Sequence, residues 1–289
     1  MRWSRRSTFT RAAAAVAVSL FGLPGTAQAQ WVEQPLHGWV SLAYYRLDTN
    51  RRFDEEGTEE DFLFDGESIT NSVFVDLAFG LFKGVDFWGQ APVHSLQFTD
   101  AAGERNRTGI GDVRLWLRAS PTRWFGRDFP VAIRGGVKLP GSDFPVDSEI
   151  IPLTDGQRDW ELMVELGHSF WPAPLYVMGW AGYRWREANT ETDQDWGDEI
   201  FFFSSMGGNR GRLGFKVDFE GFWGKTPILE GLPIESAKRR LLTTTPYATY
   251  QIGPGGVQGG VRLTLSGQNM PAGAALTFGY FTRWSLPGS

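Results

Sequence analysis

From residue 70 onward, apolar and polar residues alternate strictly in one segment after another. In the run 213–223, Leu213, Phe215, Val217, Phe219 and Trp223 share one face, while Lys216, Asp218 and Glu220 share the other. Successive side chains of a strand point to opposite sides, so the run predicts a β-ribbon with one apolar and one charged face. Turn signals divide the chain into twelve such segments: 38–48, 68–83, 85–98, 109–119, 128–140, 158–170, 173–186, 198–208, 210–224, 240–252, 255–267 and 273–284. Most are long enough to cross a bilayer at a tilt, which takes about 9–11 residues. A soluble sheet could use one ribbon of this kind. Strand after strand of them, with Tyr44, Tyr183, Trp185, Trp223, Tyr250 and Trp284 near strand ends, predicts an all-β fold. The expected architecture is a transmembrane antiparallel up-and-down β-barrel of twelve strands.

Loop lengths support this independently. Longer polar segments (49–67, 99–108, 141–157, 187–197 and 225–239) follow the odd strands, with only 268–272 short. Tight turns at Lys83-Gly84, Trp171-Pro172, Asn209 and Gly253-Pro254 follow the even ones, and 120–127 is the longer exception. Bacterial barrels have short periplasmic turns and longer external loops. Across the clearest strands the apolar phase carries no Asp, Glu, Lys or Arg. A basic side chain at the bilayer midplane costs about 2–4 kcal/mol, enough to empty that face. Pro130 can begin a strand harmlessly. Pro92 and Pro246 remove ladder donors further inside, so each predicts a bulge or an inward-facing break.

Residues 1–29 carry Arg2, Arg5, Arg6 and Arg11, an apolar run from Ala12 to Leu23, and Ala27-Gln28-Ala29. This is the pattern of a secretory signal peptide with cleavage before Gln30, leaving 30–289 as one barrel domain of the bacterial outer membrane. Removal takes four arginines and no acids, moving the formal charge from −5 to −9. An acidic mature chain argues against a nucleic-acid partner. The absence of cysteine excludes disulfides, zinc–thiolate sites and thiol catalysis. The partners expected instead are outer-membrane lipid and lipopolysaccharide, the barrel-assembly machinery and a small-molecule solute.

If the apolar phase meets lipid, the other phase lines the lumen. It carries Asp76, Trp88, Gln90, Asp112, Arg114, Arg118, Arg134, Lys138, Glu161, Glu165, Trp180, Arg184, Lys216, Asp218, Glu220, Arg262 and Arg283. Tyr176, Arg186, Gln251 and Gln258 join them. Charges at this density need water or opposite partners. One reading is a water-filled path that selects solutes by size and field; the other is a barrel glued shut by ion pairs. Arg114, Arg118, Arg134 and Lys138 fall on neighbouring strands and would make a basic ladder facing acids of the far wall. Trp88, Trp180 and Tyr176 suit either ring stacking with a solute or filling of the interior.

The three histidines are His37, His94 and His168. In His94-Ser95 and His168-Ser169 the two side chains point to opposite faces, which spoils a nucleophile–base pair within a strand. No motif supplies a cross-strand partner, and no cofactor motif is present, so an enzyme is not expected. Acids crowd the first loop (Asp54, Glu55, Glu56, Glu59, Glu60, Asp61) and the fourth (Glu191, Asp193, Asp195, Asp198) without the spacing of a calcium loop. They read as solvated acid, with divalent bridging to lipopolysaccharide as the alternative.

Several phrases in order resemble the bacterial outer-membrane family described as "MetA-pathway of phenol degradation" transporters. Gly109-Ile110-Gly111-Asp112 resembles its G-x-G-D strand start, and Gly136-Val137-Lys138-Leu139-Pro140-Gly141 its G-x-K-L-P-x-G strand end. Asp159-Trp160-Glu161-Leu162, Glu165-Leu166-Gly167, Gly182-Tyr183-Arg184 and Gly197-Asp198-Glu199 resemble the strands that follow, so the likeness spans about 72–224. It implies a twelve-stranded barrel, a transport role associated with aromatic compounds, and no catalytic residues. Thr277 to Trp284 also resembles an outer-membrane insertion signal, with two departures: Thr282 at a usually apolar place, and 285–289 beyond the terminal aromatic. The expected function is passive passage of small, aromatic or hydrophobic solutes; the alternative is a closed structural or surface-binding barrel.

Overall fold

The computed structural model describes residues 32–126, 129–145 and 150–286. The expected leader at 1–29 and its cleavage site lie outside them. Twelve antiparallel strands form the wall: β1 His37–Thr49, β2 Glu67–Phe82, β3 Val85–Asp100, β4 in two pieces (Gly103–Ile110 and Val113–Ala119), β5 Val131–Leu139 and β6 Asp159–Ser169. They continue as β7 Leu175–Arg186, β8 Glu199–Arg210, β9 Leu213–Gly224, β10 Arg240–Ile252, β11 Gly255–Gln268 and β12 Ala274–Ser285. Each pairs with its chain neighbours, and β1 closes the ring on β12 from His37↔Ser285 to Leu47↔Ala275. Closure leaves no open edge for hydrocarbon, which offers no hydrogen bonds. Among the described residues the upper half of β4 pairs only with β3; residues 142–143 and 151 lie alongside it, with Ser142 Oγ donating to Ile110 O and Arg107 to Asp143 O and Ile151 O.

The two faces separate as the alternation requires. Leu42, Val75, Leu77, Leu117, Val164, Phe215 and Phe278 stand exposed on the outside, while Ala78, Arg134, Lys138 and Asp159 on the opposite phase are buried. The outer belt is the surface that meets lipid. Val75→Arg, in the middle of β2, is expected to destabilise the bilayer-folded barrel by about 2–4 kcal/mol. Urea unfolding in vesicles checks this, and an unchanged midpoint would place that face away from hydrocarbon.

Most strand limits fall within two or three residues of the alternation pattern. The largest departure is at 99–108, expected as a loop: β3 and β4 run on through it and join by a two-residue turn at 101–102. Its polar composition hid the strand because this end of the barrel stands where no apolar face is needed. The turn expected at Asn209 lies at 211–212.

The prolines behave in two ways. Opposite Pro92 the bulge forms on the partner strand, where pairing shifts from Gln90↔Arg114 to Val93↔Ile110 across Gly111 and Asp112. A Cβ at Gly111 would lie 2.4 Å from the His94 ring and 3.0 Å from Pro92 Cγ, so only glycine fits there. At Pro246 the β10–β11 ladder skips Thr245 and Pro246 and resumes in register, with the bulge instead between Leu242 and Thr243.

Beyond the wall, the long loops make two small sheets. Arg51–Phe53 pairs with Glu59–Asp61 and Met270–Pro271, and Gln194–Asp195 joins Ile228–Leu229 and Leu232–Pro233. Two of the first loop's six acids are closely partnered, by Arg51–Glu59 at 3.0 Å and Arg52–Glu60 at 2.8 Å. Both pairs are partly exposed and contribute little to stability.

Candidate functional site

The lumen is built in layers, and the layering follows from strand register. Trp88 on β3 stands opposite Trp116 on β4, Arg118 opposite Arg134 on β5, and Arg114 opposite Lys138. Like charges directly across a ladder repel. The acids that relieve them come from β3, from β6, from the break in β4 and from the loop between β5 and β6, not from the far wall as the sequence pattern suggested. The reason is reach: the ion pairs join side chains one or two strands apart or on a neighbouring loop, and only the aromatic layer reaches further, Trp88 on β3 meeting Trp180 on β7 at 6.3 Å.

Nearest the short turns, Arg118 clasps the fully buried Asp86 in a bidentate pair, with Nη2–Oδ2 at 2.6 Å and Nε–Oδ1 at 3.1 Å, and donates to Glu165 at 3.2 Å. Arg134 also pairs with Glu165. A bidentate guanidinium–carboxylate pair is the strongest form such a contact takes. The segment 32–36 turns back across this mouth. Glu33 N–H donates to Asp86, Arg123 donates to Val32 O, Leu36 N–H donates to Gly80 O, and Val32 is buried.

Above this lies an aromatic layer. The Arg134 guanidinium sits 3.9 Å from the Trp88 ring centroid, 4.9 Å from Trp180 and 5.6 Å from Trp116. Such cation–π contacts strengthen when water is excluded. Trp180 stacks on Phe203 at 4.0 Å, and Trp39 meets Trp88 edge-on at 5.3 Å. Gly136 makes room for Trp116, since a Cβ there would lie 2.1 Å from the indole.

The middle layer joins Asp76, Gln90, Arg114, Glu161 and Arg184. Gln90 donates to Asp76 at 2.7 Å and accepts from Arg114 at 3.1 Å. Glu161 accepts from Arg184 at 2.7 Å and from Trp116 Nε1 at 2.7 Å, and Arg184 also pairs with Glu199. Toward the long loops, buried Lys138 meets Asp159 at 2.5 Å, Asp155 at 2.5 Å and Asp112 at 3.4 Å. Arg186 ties Asp155 at 2.8 Å and Glu199 at 2.9 Å. Asp155 belongs to the loop between β5 and β6, so these cations latch that loop inward. Burial pushes its carboxyl up, but Lys138 and Arg186 outweigh burial and hold it well below the usual carboxylate range.

On the remaining wall Lys216 pairs with Asp218 at 2.7 Å and Arg262 with Glu220 at 2.9 Å. Arg283 stands exposed at the short-turn end of β12. Between the layers lies a cavity of about 510 Å³. Of the residues expected to line the lumen, Asp76, Trp88, Gln90, Arg114, Arg134, Glu161, Trp180, Arg184, Glu220 and Arg262 border it. Arg118, Glu165, Lys138 and Asp112 are engaged in the ion pairs at its two ends.

Residues outside that expectation carry much of the network: Asp86, Asp155, Asp159, Glu199 and Arg239. Asp86, Asp159 and Glu199 sit two residues along the inward phase from Trp88, Glu161 and Phe201, so extending the alternation to the strand ends finds them. Asp155 lies in an aperiodic loop and gives no such signal. A cross-strand Ser–His contact also exists where neighbouring-residue pairing offered none: Ser72 Oγ lies 2.7 Å from His94 Nδ1. Ser72 is only 2% exposed, so its hydroxyl stitches β2 to β3 rather than facing a substrate.

No protein-family model matches the chain, and no curated protein does. Among solved structures, an outer-membrane channel from Pseudomonas putida F1 aligns with a TM-score of 0.66 at 12% identity, over 90% of this chain and 100% of that one. The β domain of the Bordetella autotransporter BrkA aligns at 0.49 with 10% identity, over 86% and 99% of the two chains. The Ralstonia pickettii toluene transporter TbuX aligns at 0.43 with 12% identity, over 90% and 92%. The first of these likenesses establishes the fold as that of an outer-membrane β-barrel.

Proposed function

We propose that the chain is exported, loses residues 1–29, and works in the bacterial outer membrane as a channel for small solutes, aromatic or hydrophobic ones among them, moving down their gradient. The short turns then face the periplasm and the long loops the exterior. Lipid and lipopolysaccharide surround the belt, and the barrel-assembly machinery inserts it. The phrases between 72 and 224 support kinship with the phenol-degradation transporters. The observation that carries the reading is where the charges pair. Arg118, Arg134, Lys138, Arg184 and Arg186 find their acids on nearby strands, so among the described residues no ion pair crosses the lumen, and a cavity of about 510 Å³ lies beside the aromatic layer.

A closed structural barrel is the rival reading, favoured by the segment 32–36 across the short-turn mouth. Planar-bilayer recording of the refolded mature chain separates the two: discrete current steps support the channel, and a silent barrel supports the rival. Because acids and bases interleave along the path, the pore is expected to discriminate weakly between cations and anions. Arg134→Ala should shift the reversal potential in a salt gradient toward cation preference. An unshifted potential would remove Arg134 from the conducting path.

A further inference from the structure

We infer that the cavity holds an aromatic carboxylate, its anionic group against Arg114 and Trp88 Nε1 and its ring against the Trp180–Phe203 stack. The inference rests on reading the lumen as a solute path, and it narrows which solute lingers there.

Its starting point is an imbalance between donors and acceptors around the middle layer. The acids there have their oxygens engaged. Asp76 accepts from Gln90 on one oxygen and Ser41 on the other, at 2.7 and 3.2 Å. Glu161 accepts from Arg184 on one and Trp116 on the other. The donors are not similarly engaged. Arg114 gives one hydrogen bond to the neutral amide of Gln90, and its Nε lies 3.9 Å from Glu161, beyond hydrogen-bond reach. Among the described residues, Arg114 Nε, Arg134 Nε and Trp88 Nε1 are buried without a hydrogen-bond partner.

Arg134 is 2% exposed and borders the cavity, so its unpartnered donor belongs to an enclosed site, not to a surface. Buried donors lacking acceptors cost about 1–3 kcal/mol each, more when charged, and a ligand oxygen recovers that cost. A guanidinium fork matches a carboxylate in geometry as well as charge.

The walls supply the second half of the recognition. Trp88, Trp180 and Phe203 present ring faces and edges within one layer, with Trp180 already stacked on Phe203. A flat aromatic ring extends such a cluster at offset or edge-on geometry. The cavity volume falls within the range of about 300–1,000 Å³ usual for small-molecule sites. A short aliphatic acid would satisfy the donors but leave the rings uncovered; an uncharged aromatic would do the reverse.

The test is equilibrium dialysis of radiolabelled benzoate against the refolded mature chain in detergent, with acetate and benzyl alcohol as competitors. Saturable binding near one per chain is expected, displaced poorly by either competitor. Arg114→Gln removes the charge, and Trp88→Phe removes the indole donor while keeping a ring; each should weaken binding about tenfold. Arg114→Lys should restore part of the loss. Far-UV circular dichroism and heat-shifted gel migration show whether each variant remains a barrel. Non-saturable benzoate uptake, or affinity unchanged in both Arg114→Gln and Trp88→Phe, overturns the inference. Equal affinity for benzyl alcohol overturns the carboxylate. A barrel that conducts without retaining benzoate sinks this inference alone, and one that retains benzoate without conducting sinks the channel reading alone.

Discussion

Lys138→Ala is expected to cost the barrel about 3–5 kcal/mol, more than any other single truncation in the lumen. Its ammonium is 1% exposed and holds three carboxylates, Asp159 at 2.5 Å, Asp155 at 2.5 Å and Asp112 at 3.4 Å. Removing it leaves Asp159 fully buried and Asp112 and Asp155 partly so, with Arg186 as the remaining close cation for Asp155 and Asp159. An unpaired buried ion costs more than the pair ever contributed, because desolvation stays while attraction goes. The same change releases the loop that carries Asp155. Arg51→Ala is the control: its ion pair with Glu59 stands exposed on the first loop, and its loss should cost under about 1 kcal/mol. Urea midpoints in detergent compare the two. Equal costs would mean that the Lys138 cluster is solvated and holds nothing in place.

Displacing the segment 32–36 is expected to raise single-channel conductance about twofold or more, since current through a pore is limited by its narrowest part. Gly80→Ala does this without altering any charge. A Cβ at Gly80 would lie 1.8 Å from Gln34 O and 2.5 Å from the carbonyl carbon, so backbone rather than a flexible side chain must move. The anchors left to resist are Glu33 N–H to Asp86 at 2.8 Å, Arg123 to Val32 O at 3.1 Å and Leu286 N–H to Leu36 O at 2.9 Å. Deleting Val32 to Leu36 should give the same conductance as Gly80→Ala. Because the chain lacks cysteine, Gln34→Cys offers a single label site, which should react faster with a maleimide in the Gly80→Ala background. If current and labelling stay unchanged, the segment is an ornament of the wall and closes nothing.

The run 213–223 shows how much a strand announces. Its alternation placed Lys216, Asp218 and Glu220 on one side and Phe215 and Phe219 on the other, and β9 follows that division from Leu213 to Gly224. The strand through 103–110 announced much less. Gly103–Ile110 alternates too, but between polar residues, so no apolar phase marks it as wall. The lumen followed the same rule. Arg134 and Glu165 were legible as inward-facing, whereas their pairing depends on Ala132 standing opposite Glu165 and Arg118 opposite Arg134. Those registers follow from how the cylinder closes.

Hydrocarbon outside imposes a period of two on every strand that crosses it, and that period is written locally; the amino-acid order alone therefore determined the wall, its strand number and the side each residue faces. Which acid meets which base, how the loop bearing Asp155 comes to rest on Lys138, and that residues 32–36 turn back over Asp86 were decided only in three dimensions. Those contacts join positions far apart in the chain, where charge pairing and the stagger between strands, not residue spacing, choose the partner.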